Sequence, residues 1–346
     1  MKIKVFHGLV NYGTQSGFFA RELRNKGFDA ISVVNPDRFK RLTDVELLHG
    51  GSFPVKLLRH TYNYLCKLYW LFKYNIFHFY AGSTLFPGQV DLPVIRLLGK
   101  KIIMEYLGTD IQGYEVSVQK YKWTNLRAIM TPEQGLIYDK RNHDRYKFEQ
   151  KYIHKSLVCA PVYSEFVHGS EVLPLAIDIH KFQFSPLPEI KNNVFRIMHA
   201  PTHRANKGTD YILDALDRLK TEGFQIEVDL VENILHDSLL EQYKKCHLFI
   251  DQIMGGWYGT ATIEAMAIGR PVIVCLREEY FQYIDYGKKI PAIHADPENI
   301  YDTIKATLES GFDKLLDIGL KSRAFVEEVH ALSRVTEKLI SIYNKL

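Results

Sequence analysis

The sequence predicts an α/β protein built from two doubly wound domains, and three observations carry that expectation. Short β-branched or apolar runs alternate with longer stretches of helical periodicity, the pattern of parallel strands joined by crossover helices. The length of 346 residues suffices for two ordinary domains. Between two series of strands lies FQFSPLPEIKNN, Phe182 to Asn193, which lacks periodicity and is rich in residues that break regular structure; it reads as an interdomain linker.

In the first series Lys2 to His7 reads as a strand, Gly8 to Gly13 as a turn, and Gln15 to Lys26 as a helix with Phe18, Phe19 and Leu23 on its apolar face. Strands come next at Ala30 to Val34, Ile76 to Tyr80, Lys101 to Tyr106 and Leu157 to Ala160. The second series places strands at Val194 to His199, Gln225 to Val231, His247 to Asp251 and Pro271 to Cys275. Helices are expected between them at about Asp210 to Glu222, Leu239 to Cys246 and Thr260 to Ile268. A last helix from about Phe325 is expected to pack back on the N-terminal domain. The predicted division is 1–181, 182–324 and 325–346, with ligand in the crevice at the carboxyl ends of the strands.

Composition narrows the function classes. With 46% hydrophobic and 24% charged residues the chain has the make-up of a soluble globular protein with a sizeable core. It contains no run of about 18 uncharged apolar residues, so no spanning helix is expected. The start, MKIKVFHGLV, enters a strand without an apolar leader, so a cytoplasmic location is expected. Cys66, Cys159, Cys246 and Cys275 stand apart without a C-x-x-C pair and read as small core residues. The basic residues form no recognised nucleic-acid module.

Two stretches carry the chemistry. From Phe249 to Val274, FIDQIMGGWYGTATIEAMAIGRPVIV, a strand runs into a turn with Gly255, Gly256 and Gly259, then into a helix starting near Thr260. A helix start offers backbone N–H groups and positive dipole charge to a phosphate. Glu264 lies one turn in, and its carboxylate leans back toward the turn, where it could accept both hydroxyls of a ribose or complement the dipole. From Met198 to Ile212, MHAPTHRANKGTDYI, a strand ends in a loop bearing His203, Arg204 and Lys207, with Thr209 expected to cap the next helix. Such cations suit a diphosphate, arginine as a fork and lysine as a point charge.

GWYGTATIEAMAIGRPVIV resembles the nucleotide-sugar motif of the group 1, family 4 type glycosyltransferases of GT-B fold. KGTDYILDAL, LPLAIDIHKF, YLGTDIQ, PAIHADPENIYDTI and the final FVEEVHALSRVTEKLISIYNKL also resemble segments of that family, in the expected order. The resemblance covers nearly the whole chain, most strongly from Leu173 onward. It implies two facing Rossmann-like domains with an interdomain cleft. It also implies retaining transfer of a sugar from a nucleoside-diphosphate donor to a hydroxyl acceptor.

Carried over by residue, the resemblance implies that Glu264 binds the donor ribose and that Arg204 and Lys207 hold the diphosphate. Gly259, Thr260 and Ala261 would contribute the turn and backbone N–H groups. Lys207→Ala and Glu264→Ala are expected to lose transfer and donor binding while staying folded. In HGLVNYGTQSG the backbone at Gly13 would approach the distal phosphate or the acceptor, the alternative being a tight turn alone. Asp110 matches the family's N-domain aspartate and would orient an acceptor hydroxyl or a neighbouring loop. Tyr106 stands where relatives often have a histidine, and His78 reads equally as a cleft or a packed residue. The chain departs from the family at Gly256, which replaces the first of two glutamates seven residues apart, the one that meets the donor sugar.

In the reaction so implied, charge builds on the departing diphosphate, which itself accepts the acceptor proton on the same face. No carboxylate nucleophile and no D-x-D metal motif is evident, and metal independence is expected. An epimerase acting on the same donor, or a non-catalytic sugar-nucleotide-binding protein, would share these motifs.

The aromatic excess concentrates in VKLLRHTYNYLCKLYWLFKY, Val55 to Tyr74. On a helix Leu58, Tyr62, Leu65, Tyr69 and Phe72 form one stripe and Lys56, Arg59, His60, Asn63 and Lys67 another face. The stripe could be buried in the domain or lie on an anionic bilayer. From Pro36 to Tyr74, Arg38, Lys40, Arg41, Lys56, Arg59, Lys67 and Lys73 stand against Asp37, Asp44 and Glu46. Peripheral membrane attachment, with a lipid-linked or surface-polysaccharide acceptor, is therefore expected.

Overall fold

The computed structural model describes residues 3–37, 40–232, 234 and 236–346, so Lys2 of the first expected strand and Arg38 of the basic region lie outside the described residues. The first half holds β1 (Lys4–Leu9), α1 (Gln15–Asn25), β2 (Asp29–Val34), β3 (Val45–Glu46), α2 (Phe53–Lys73) and β4 (Ile76–Tyr80). It continues with α3 (Asp91–Leu97), β5 (Lys101–Tyr106), α4 (Tyr114–Lys120), α5 (Asn125–Ile129), α6 (Pro132–Glu149), β6 (Lys155–Val158) and β7 (Glu171–Val172). The second half holds β8 (Phe195–His199), α7 (Arg204–Lys207), α8 (Thr209–Thr221), β9 (Ile226–Leu230), α9 (His236–Tyr243), β10 (Leu248–Ile250) and α10 (Thr260–Ile268). It ends with β11 (Val272–Val274), β12 (Ile293–His294), α11 (Ile300–Glu309), α12 (Phe312–Val329) and α13 (Leu332–Asn344).

All strands pair in parallel, in two sheets ordered β3-β2-β1-β4-β5-β6-β7 and β12-β11-β10-β8-β9. The predicted strands fall within a few residues of their observed bounds. The strands missing from the sequence reading are β3, β7 and β12, each a two-residue edge strand, too short to show a period.

Contacts group the chain into two units, one of Met1–Gln112, Lys140–Ala176 and Leu332–Leu346, the other of Gly113–Asp139 and Ile177–Ala331. This differs from the expected 1–181, 182–324 and 325–346 in three places. Phe182 to Asn193 is irregular, but it is no tether. The buried Arg270 guanidinium donates to the carbonyls of Ser185 and Pro186 and, at 3.1 Å, of Cys246, binding the segment to the second unit. Residues 113–139 join the second unit through Trp123, edge-on to Tyr211 at 5.2 Å, and through the Lys122–Glu298 ion pair. The terminal helix is two helices, and only α13 lies in the first unit.

In the first unit Val5, Ile76, Ile103 and Leu157 pack under α1 and α13, with Phe18, Phe19 and Leu23 of α1 all buried as predicted. Phe6, Phe77 and Phe79 form an aromatic cluster with Trp70, Phe6 lying 5.7 Å from Trp70. In the second unit Ile197, Leu248, Ile250 and Ile273 pack against Ile212, Leu216 and Ile304.

Candidate functional site

In the second sheet β8, β10 and β11 are neighbours, so the segments leaving their carboxyl ends share one edge, where doubly wound sheets hold ligands. Asp251 comes directly after β10 and is 1% exposed. Its Oδ1 lies 2.5 Å from the Lys207 ammonium and its Oδ2 accepts from Thr262 Oγ at 2.6 Å. Burial pushes the Asp251 carboxyl up, but the Lys207 charge and the hydrogen bonds from Lys207 and Thr262 outweigh it and hold the group below its ordinary value. Lys207 is thus coupled to α10 through a buried carboxylate.

The segment around Lys207 is a single helical turn, α7, and not the loop expected. His203 caps it, accepting from the Asn206 N–H. Gly208 comes next at φ +77, where a Cβ would come within 2.6 Å of Ile253, so the Lys-Gly pair needs both the conformation and the room that glycine gives. Thr209 does not cap α8; its hydroxyl meets His199 Nε2 at 2.8 Å and the capping position is Gly208. His199 Nδ1 donates to the Ile250 carbonyl at 2.7 Å, and burial lowers its pKa, so the ring is a neutral strut between β8, β10 and α8.

Arg204 is turned elsewhere. Its guanidinium forms a bidentate pair with Glu232, at 3.0 and 2.6 Å, so in this structure it is committed to a carboxylate and not presented with Lys207. Gly259, Thr260 and Ala261 open α10, which has no side-chain cap, and a Cβ on Gly259 would point into open space. Gly259 has φ −119, so room and not backbone conformation is its contribution. Glu264 is half-buried on the same helix. Lys207, Gly259, Thr260, Ala261 and Glu264 therefore stand on two segments joined by Asp251, with Arg204 beside them in its own pair.

Gly13 and Asp110 belong to the first unit. Gly13 has φ +51 and begins a left-handed turn continued by Thr14 at φ +68. Asp110 Oδ1 accepts from the N–H groups of Leu107 and Gly108 at 2.9 and 2.7 Å, so this side chain shapes its own loop. Its Oδ2 is buried with no hydrogen-bond partner among the described residues, and burial raises the carboxyl. Tyr106 is fully buried with its hydroxyl on Glu149 at 2.7 Å.

His78 is packed, completing a buried polar chain. Its Nε2 lies 3.0 Å from Glu105 and its Nδ1 2.8 Å from the Tyr343 hydroxyl on α13, which lies 3.3 Å from His7 Nε2; His7 Nδ1 reaches Tyr80 at 2.7 Å. Burial pushes Glu105 up to about 8 and His78 down to about 3, so both are neutral at pH 7. A protonated Glu105 donates to His78, His78 to Tyr343, Tyr343 to His7 and His7 to Tyr80, so each link has one donor and one acceptor.

Sequence reasoning missed Asp251, a lone carboxylate in an apolar strand end, and with it one expectation changes. Removing Lys207 leaves Asp251 buried and uncompensated, so Lys207→Ala is a stability variant as well as a binding one. Arg277, after β11, was also missed.

On α2 the whole stripe of Leu58, Tyr62, Leu65, Tyr69 and Phe72 is more than half exposed, and only Trp70 and Leu71 are buried. On the polar face Arg59, Asn63 and Lys67 are partly covered, while Lys56 and His60 are exposed. Asn63 exchanges two hydrogen bonds with the Leu48 backbone, and Arg59 donates to the carbonyls of His49 and Gly50. Among the described residues no helix is long and apolar enough to cross a membrane.

No family model matches the chain, and no curated protein matches it by sequence. Solved structures match it over its length. It is similar to a sucrose-phosphate synthase from Thermosynechococcus elongatus, at 14% identity over 100% of this chain and 99% of that one, with a TM-score of 0.65. It is similar to Anabaena HepE in complex with UDP and glucose, at 13% identity over 100% of both chains and a TM-score of 0.62. It is also similar to WaaG, a glycosyltransferase involved in lipopolysaccharide biosynthesis, at 14% identity, 98% and 99% coverage and a TM-score of 0.55. These likenesses, with the two parallel sheets, establish a Rossmann-like GT-B fold.

Proposed function

We propose that the protein transfers a sugar from a nucleoside-diphosphate sugar to a hydroxyl acceptor, with retention at the anomeric carbon. The observation that carries this reading is the Lys207–Asp251–Thr262 coupling, which sets a cation against an uncapped helix start in a GT-B fold. One Lys207 N–H is used on Asp251, and an ammonium has three, leaving two for a diphosphate. The Thr260 and Ala261 N–H groups add to it, and Glu264 accepts two ribose hydroxyls. As the sugar–phosphate bond breaks, negative charge grows on the diphosphate, so these donors stabilise the transition state more than the ground state. The leaving phosphate takes the acceptor proton, and no metal is required; addition of a chelator is expected to leave turnover unchanged.

The structure of HepE with UDP-glucose makes uridine donors the first to test. Thermal shift with a panel of nucleotide sugars, then product analysis with and without acceptor, tests the proposal. A donor that raises the melting midpoint and is consumed only with acceptor is expected. Conversion of donor without acceptor would indicate an epimerase, and binding without turnover a non-catalytic protein; either overturns the proposal.

The acceptor we propose is a lipid-linked or surface-polysaccharide glycan, reached from the cytoplasmic face of an anionic membrane on which α2 lies. α2 carries Lys56, Arg59, Lys67 and Lys73 and no carboxylate, beside an exposed aromatic and aliphatic stripe, which matches anionic headgroups over acyl chains. Sedimentation with phosphatidylglycerol vesicles at low salt, lost for Leu58→Glu/Leu65→Glu, is the expected result. No sedimentation of the parent protein would contradict it.

A further inference from the structure

Gly256 lies in the turn between β10 and α10 at φ +76, and the place of a side chain there is taken. A Cβ on Gly256 would come within 2.6 Å of Arg277 Nη1 and 2.9 Å of its Cζ. Arg277 lies just after β11, the neighbour of β10, and its N–H donates to the Gly256 carbonyl at 3.2 Å. The guanidinium is held from two further sides. Its Cζ sits 3.5 Å from the centre of the Tyr121 ring, and Nη2 donates to the Trp123 carbonyl at 2.5 Å. Tyr121 is fixed in turn by hydrogen bonds with Glu279 at 2.7 Å and Tyr280 at 2.6 Å.

The charge state of this edge singles Arg277 out. Lys207 is paired with Asp251 and Arg204 with Glu232, whereas Arg277 makes no ion pair among the described residues. Glu279, the carboxylate tied into this group, accepts from Tyr121 instead. A half-buried, stacked guanidinium without a counter-ion among the described residues keeps N–H donors in a fixed fork suited to an oxyanion. The glycine at 256 is therefore an accommodation for Arg277 and not merely a lost side chain.

We propose that Arg277 is a specificity-determining residue that receives an oxyanion of the donor. This rests on the nucleotide-sugar reading above. Two parts of such a donor carry oxyanions: the diphosphate, and the carboxylate of an acidic sugar such as a hexuronic acid. A cation in this position selects for negative charge on the ligand that the Gly255–Gly259 turn holds.

The test is calorimetric binding of UDP, UDP-glucose and UDP-glucuronate, with the guanosine diphosphate and GDP-mannose as a second base, to the parent protein, Arg277→Met, Arg277→Lys and Gly256→Ala. If Arg277 reads a sugar carboxylate, Arg277→Met loses about tenfold or more for UDP-glucuronate and less than about twofold for UDP. If it reads the diphosphate, the loss is the same for every ligand. Gly256→Ala, which displaces the guanidinium, is expected to behave as Arg277→Met does, and Arg277→Lys to fall between. Affinities of Arg277→Met within about twofold of the parent for all ligands overturn the inference while leaving the nucleotide-sugar reading intact. Failure of the parent to bind any of the nucleotides overturns both.

Discussion

Both units place polar side chains near the carboxyl halves of a parallel sheet, and they treat charge in opposite ways. In the first unit His7, His78, Glu105, Tyr80 and Tyr343 are buried and neutral, linked in one hydrogen-bonded chain. In the second, Lys207 and Asp251 stay charged as a pair, Arg204 and Glu232 pair on the surface, and Arg277 has no carboxylate partner among the described residues. Burial of ionised groups is costly unless they are paired, so the wholly buried cluster of the first unit relaxes to neutrality. In the second unit pairing, not neutralisation, meets that cost for Lys207 and Asp251. The first cluster fastens α13 to the sheet, and the second, on the function proposed above, meets an anion.

The largest test of this contrast is Lys207→Met. It leaves Asp251 ionised in the interior and is expected to destabilise the second unit by about 3–5 kcal/mol in urea unfolding. Lys207→Met/Asp251→Asn should recover much of that stability without recovering donor binding. A single variant as stable as the parent would show that the pair is not electrostatically coupled.

A smaller effect is expected from pH on the first unit. Glu105, raised from 4.5 to about 8, adds stability that is complete below 4.5 and lost as pH rises through 8. His78, lowered from 6.5 to about 3, and His7, also lowered, add stability present above 6.5 and lost as pH falls through their folded values. Stability of the unit should therefore peak near pH 6.5 and decline by roughly 2 kcal/mol toward pH 8.5. Glu105→Gln should flatten that alkaline decline in melting curves; an unchanged decline would locate its origin elsewhere.

Tyr343→Phe removes the hydroxyl shared by His78 and His7 and is expected to cost about 1–3 kcal/mol, with faster hydrogen exchange in α13. The smallest stability effect belongs to α2. Leu58 and Leu65 are 71% and 59% exposed, so their replacement by glutamate should change unfolding stability by less than about 0.5 kcal/mol while abolishing vesicle binding. A large loss of stability would mean that the stripe is packed.

Much of this was legible in the sequence because periodicity reports burial. The interior strands Ile76–Tyr80 and Lys101–Tyr106 were read at their observed bounds, as apolar runs buried on both faces must be. The start of α10 was legible from its glycines and the Ala-rich helix after them. The contacts that escaped join segments distant in sequence. Asp251 meets Lys207 across 44 positions, and Arg277 meets Tyr121 and Trp123 across more than a hundred. Nor could the sequence alone decide whether the α2 stripe is buried, since an amphipathic helix has the same period against a core or a bilayer. The division after Ala176 depends on Arg270 holding the 185–186 backbone, which a Pro-rich segment does not announce.

The central claim is that the second unit's charged edge, with Glu264, binds a nucleoside diphosphate. Titration calorimetry of UDP and GDP into the parent protein and Glu264→Gln tests it most directly, with melting curves of both proteins alone as the control. The account predicts that the parent binds at least one of them and that Glu264→Gln, melting as the parent does, loses about tenfold or more in affinity. Equal affinity in the two proteins, or no binding by the parent, would contradict it.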